Sequence, residues 1–188
     1  MSSHHIVREK QEPALFIREL DHFDEEYLGQ LLEWSPTLIV SAGAYEKVVS
    51  LGLKVDVVTG SEDGVHFQEN TRTLNGRAEE LGAVLDDAVS NGYAAINIID
   101  IQNSYLGTLG TYLKKINIVI YTPQEKAYAV RPGFRVWKPA GSVFRFSGSP
   151  RIEADNLILQ NEGDFVVEKD GFVVFRFIDD YLIIRERL

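Results

Sequence analysis

A chain of 188 residues is long enough to bury one domain-sized core, or one core and a small appended module. Hydrophobic residues make up 45% and charged residues 25%, the ordinary balance of a globular protein in water. The formal net charge of −9 argues against a general nucleic-acid binder, whose surface must offset phosphate charge, and the lack of cysteine excludes disulfides, zinc–thiolate centres and a cysteine nucleophile.

No apolar run approaches the length of a membrane span, and the opening MSSHHIVREKQEP has no apolar signal core, so a cytoplasmic protein without a membrane partner is expected. Ala14–Ile17 reads as a first strand. Asp24–Glu33 carries Tyr27, Leu28, Leu31 and Leu32 at helical spacing, with acids in its first turn, and Pro36 ends it. Leu38–Val40 is a continuous apolar strand of the kind covered on both faces. Tyr45–Leu51 reads as a short helix stopped by Gly52, and Val55–Val58 as the next strand. Gly60–Gly76 is polar, rich in turn formers and read as a loop. Ala78–Ser90 is an amphipathic helix ended by Asn91–Gly92, with Asp86 and Asp87 on its solvated face. Ile96–Ile99 is a buried-type strand, Ser104–Lys115 a helix weakened by Gly107 and Gly110, and Ile116–Tyr121 and Ala127–Val130 two further strands.

The period then changes. Val143–Phe146, Leu157–Leu159, Phe165–Glu168, Phe172–Phe177 and Tyr181–Arg185 read as strands, the last three separated by the turns Lys169–Gly171 and Ile178–Asp180. Trp34 is expected to staple the end of the first helix and Trp137 to pack the β tail. His22 and His66 read as surface residues in polar segments.

Three segments carry a resemblance. Ser41-Ala42-Gly43-Ala44, between a strand and a helix, is similar to an A-D-G-G-A segment. Leu51–Val58 continuing into Gly60-Ser61-Glu62-Asp63 is similar to L-G-I-x-P-D-x-x-x-G-D-x-D-S. A helix ending at Gly92 leads to a strand and then to an all-β tail. On these segments the chain resembles the thiamine pyrophosphokinase family from about Ala14 to Leu188. The resemblance implies an α/β fold: a mostly parallel, Rossmann-like sheet flanked by helices over residues 1–131, then a small antiparallel β-sandwich-like domain over residues 132–188. It also implies pyrophosphoryl transfer from ATP to the thiamine hydroxyl, Mg²⁺ held by carboxylates, and a homodimer with thiamine near the subunit interface.

The family's motif residues carry over only in part. The aspartate of its D-G-G motif falls on Ala42, and the first aspartate of G-D-x-D-S falls on Ser61. The second falls on Asp63, with Glu62 beside it. The acidic stretch that opens the next helix falls on Arg77, Glu80 and Gly82, of which only Glu80 is acidic. The G-x-R-x-D-H turn maps near Asn103–Thr108 and keeps none of its charged residues, and Arg18-Glu19-Leu20 stands where a glycine turn is usual.

The resemblance thus implies Glu62, Asp63 and Glu80 as the metal carboxylates, Asp63 and Glu80 as catalytic residues, and Gly43, Gly60 and Arg77 as nucleotide-binding residues. Read without it, the acids are a solvated loop and a helix start, and the glycines serve tight turns. The expected function is a thiamine-pyrophosphokinase-like protein, catalytically impaired or repurposed, that binds a nucleotide or small heterocycle weakly or acts only as an assembly or regulatory partner. One alternative is an active thiamine pyrophosphokinase with a rearranged Mg²⁺ site and Arg72 or Arg77 neutralising phosphate. The other is a non-enzymatic interaction module.

Overall fold

The computed structural model describes residues 12–60, 66–74, 80–147, 151–160 and 163–188. The chain forms two units, one of Met1–Ile101 with Thr111–Ile118, the other of Gln102–Gly110 with Val119–Leu188.

The first unit is built on five parallel strands: β1 (Ala14–Ile17), β2 (Leu38–Ser41), β3 (Val57–Thr59), β4 (Arg72–Leu74) and β5 (Ala95–Ile99). Their order across the sheet is β5-β1-β2-β3-β4. Every residue of β1, β2 and β3 is buried, as expected of parallel strands covered on both faces. Helices α1 (Glu25–Leu32), α2 (Ala42–Ser50) and α3 (Glu80–Ser90) lie in the connections, and α3 buries Val84, Leu85 and Ala88 at helical spacing. Asp24 caps α1 by accepting the Tyr27 N–H at 3.0 Å, with Glu25 and Glu26 completing an acidic first turn. Among the described residues no helix is long and apolar enough to cross a membrane.

Several local expectations are corrected. α2 begins at Ala42 rather than Tyr45, because the Ser41 side chain caps it. The stretch read as a loop contains β4, an edge strand whose Arg72 and Thr73 face solvent and so give no apolar signal. Ahead of β4, Gln68 accepts from the Val55 N–H at 2.8 Å and donates to the Leu53 carbonyl at 3.0 Å. Ser104–Leu109 is a 3₁₀ helix followed by one α-turn, α4 (Gly110–Leu113), as its glycines suggest.

The second unit is antiparallel. β6 (Asn117–Tyr121), which starts in the first unit, leads by a tight turn to β7 (Glu125–Val130). One sheet runs β11 (Leu157–Leu159), β12 (Phe165–Val167), β9 (Val143–Phe146), β14 (Leu182–Arg187), β7, β6. A separate sheet runs β10 (Glu153–Asp155), β13 (Gly171–Arg176), β8 (Arg135–Lys138). β8 and β10 were not expected from the sequence. The two sheets share a core in which Phe175 of β13 meets Phe144 and Phe146 of β9 edge-on, at ring-centroid distances of 5.7 and 5.9 Å. Trp34 and Trp137 pack neither core: they are 68% and 54% exposed.

Phe175 is fully buried and touches rings from the opposite sheet. Phe175→Ala is expected to cost about 3–5 kcal/mol, seen as a lower urea midpoint for the loss of β-sheet circular dichroism.

Candidate functional site

In an open parallel sheet, ligands bind outside the carboxyl ends of the strands, where the strand order reverses. Here successive strands step outward from β1 through β2 and β3 to β4, whereas β5 lies on the other side of β1, so the reversal falls between β1 and β5. Register aligns the strand ends: Ile17 lies level with Val40 and with Ile99, and Ser41 level with Thr59. Arg18, Ser41, Gly60 and Asp100 therefore emerge at one end of the sheet.

Arg18 organises this end. Its Nη1 donates to Asp100 Oδ2 at 2.8 Å, and its Nε lies 3.7 Å from Glu80 Oε2, an ion pair too long for a hydrogen bond. Asp100 is only 3% exposed, and its other oxygen accepts the Ile101 N–H at 2.7 Å. The Arg18 backbone is fixed as well: its N–H donates to the Ile99 carbonyl at 3.0 Å and its carbonyl accepts from Ser41 Oγ at 2.7 Å. Burial raises the Glu80 carboxyl above its usual value; Arg18 pulls it back down, and Asp100 adds to the rise.

Gly60 has φ +72°, and a Cβ there would stand 3.1 Å from Glu80 Oε1, so glycine meets both the turn and the close approach of the carboxylate. Gly43 lies in the first turn of α2, where a Cβ would make only an ordinary contact with Ser41 Oγ at 3.9 Å. Beside Gly60, the Thr59 hydroxyl is fully buried and has no hydrogen-bond partner among the described residues.

The structure thus brings Glu80 and Gly60 together. Glu62, Asp63 and Arg77, with Ser61, lie outside the described residues. Arg72 is committed elsewhere, its guanidinium forking onto both oxygens of Asp87 at 2.8 Å each. Asp100 was missed by sequence reasoning, although an acid directly after the apolar run Ile96–Ile99 marks the end of a buried strand. Arg18 is marked in the sequence only as a departure from the glycine turn usual at that place.

Mg²⁺ demands several hard oxygen ligands in near-octahedral array. Among the described residues no group of three or more acids or histidines is placed to hold a metal. The two carboxylates at the strand ends share a guanidinium instead. The described residues alone do not fit the ion.

Arg18→Ala removes the guanidinium from a nearly buried carboxylate and is expected to lower stability by about 2–3 kcal/mol, measured by chemical denaturation. A second outcome concerns pH. The folded Glu80 carboxyl holds its proton to higher pH than the unfolded one. Its support of the fold is complete below the ordinary value of 4.5 and is lost as pH rises through the raised folded value. Glu80→Gln, neutral throughout, should gain stability relative to the parent chain as pH is raised across that window, read from urea midpoints.

No family model matches the sequence, and no curated protein matches it by sequence. Solved structures do match. Thiamine pyrophosphokinase from Bacillus subtilis superposes with a TM-score of 0.67 at 13% identity, over 94% of this chain and 99% of that one. Thiamin pyrophosphokinase from Geobacillus thermodenitrificans gives 0.70 at 10% identity, over 93% and 97%. The enzyme from Candida albicans gives 0.67 at 8% identity, over 94% and 90%. At such identities the likeness is one of fold, and on it the chain has the fold of the thiamine pyrophosphokinases.

Proposed function

We propose that this chain is a thiamine-pyrophosphokinase-like protein whose strand-end site no longer transfers pyrophosphate and binds a nucleotide or small heterocycle instead. The observation that carries this reading is the Arg18 guanidinium in contact with both Glu80 and Asp100. Pyrophosphoryl transfer from ATP requires the triphosphate charge to be screened as it moves, and Mg²⁺ held by carboxylates supplies that screening. Arg18 cancels one of the two carboxylate charges, and the Ala42 side chain offers no oxygen at the start of α2. What remains favours binding: the Thr59 hydroxyl has no partner among the described residues, and the positive-φ turn at Gly60 keeps side-chain bulk away from Glu80. A homodimer belongs to the same reading through the family resemblance, and light scattering should give the mass of two chains.

The decisive experiment incubates the full chain with ATP, Mg²⁺ and thiamine and follows AMP and thiamine diphosphate. The expected result is no product above background, with ATP or thiamine binding still detectable by calorimetry. Turnover that disappears in both Glu80→Ala and Asp63→Ala overturns the proposal in favour of an active pyrophosphokinase. Absence of binding to either compound overturns the ligand-binding role.

A further inference from the structure

The antiparallel unit carries a second concentration of charge, of opposite sign and independent of the strand-end site. Side chains alternate along a strand, so Arg185 and Arg187 of β14 lie on one face, while Ile184 on the other joins the sandwich core. Across the ladders Arg185 stands opposite Arg145 of β9 on one side and Ala127 of β7 on the other, and Arg187 stands opposite Glu125. Like charges directly opposed across a ladder are unfavourable, so the Arg145–Arg185 pair calls for a compensating anion.

The protein supplies only part of one. Arg145 is held by Asp164 through Nε and, at 3.1 Å, through Nη2. Glu125 sits 3.8 Å from both Arg145 Nη1 and Arg185 Nη1, beyond hydrogen-bonding reach, and is held back by the Asn103 amide at 2.8 Å. Arg185 Nε is buried and has no hydrogen-bond partner among the described residues, and Arg187, opposite Glu125 across the ladder, adds its charge to those that hold the Asp164 carboxyl low. Three guanidiniums thus face two carboxylates, a local excess of one positive charge in a chain of net charge −9. The three arginines and Glu125, with Gln124 and Val143, line a cavity of about 220 Å³.

We infer that this cavity is a binding site for a phosphate group. A buried guanidinium N–H without an acceptor is a costly defect unless a ligand oxygen completes it, and the planar fork of arginine suits the oxygens of phosphate. The volume falls below the several hundred Å³ of pockets that enclose drug-sized ligands, so the site takes the phosphate itself and leaves any attached group outside. That group distinguishes two sources: free inorganic phosphate, and the end of a phosphate monoester.

The test titrates the full chain with inorganic phosphate and with a simple phosphate monoester at constant ionic strength, by phosphorus NMR or calorimetry. Both should bind, the tighter one being the natural source. Arg187→Gln, at an exposed position, should weaken binding roughly tenfold. Glu125→Gln, which removes the built-in competitor, should tighten it several-fold, an outcome that damaged folding does not imitate. Binding that is absent in the parent chain, or unaltered in both variants, overturns the site.

Discussion

Burial of β1, β2 and β3 on both faces is the constraint from which the rest of the parallel unit follows. Strands covered on both sides have room only for apolar side chains, so polar groups are pushed to the strand ends. The amino ends are closed by backbone bonding. Asp56, just ahead of β3, accepts the Leu38 N–H at 2.9 Å through its side chain and donates its own N–H to the Leu38 carbonyl at 3.0 Å. The carboxyl ends hold what is left: Arg18, Ser41, Thr59 and Asp100, with Glu80 brought in from α3.

The antiparallel unit distributes polarity differently, because only one face of its larger sheet enters the core. On that face Glu186 is buried, yet accepts from the Tyr128 hydroxyl at 3.1 Å and from Lys138, with Lys126 at 3.7 Å. Burial and the Glu186 charge push the Tyr128 phenol well above its usual range, so it stays a donor to that carboxylate. A carboxylate satisfied in this way asks for nothing from solvent. The arginines on the opposite face are not closed off, and the contrast between the two faces of β14 separates a structural cluster from a site.

The sequence carried the parallel sheet clearly where burial leaves a mark. Leu38–Val40 and Ile96–Ile99 are apolar runs because both faces are covered, and the stripe of Val84, Leu85 and Ala88 marks α3 for the same reason. β4 left no such mark, since an exposed edge strand is written in the same residues as a loop. β8 was hidden likewise: Arg135-Val136-Trp137-Lys138 follows the Pro132–Gly133 turn, and of its two apolar residues Val136 is half-buried and Trp137 exposed. Of the strand-end residues, Glu80 and Gly60 stand out in the sequence through the family resemblance alone. The Arg18–Asp100 pair was not, because the two positions are 82 residues apart and only the β1–β5 register joins them. The arginine-lined cavity was invisible on the same ground: nothing in the spacing of Glu125, Arg145 and Arg185 announces that three strands place them side by side.

The hydroxyl of Ser41 serves two backbones at once. It gives its only proton to the Arg18 carbonyl at 2.7 Å and takes the Ala44 N–H at 3.1 Å. Its polarity is therefore locked, with one donor and one acceptor in fixed directions. An acid in this position would keep the cap on α2 but aim negative charge at a carbonyl oxygen, and the link between the end of β1 and the start of α2 would turn repulsive. The chain can thus acquire a carboxylate at position 42 without disturbing this joint, but not at position 41. The serine sets which of two adjacent residues is open to new chemistry.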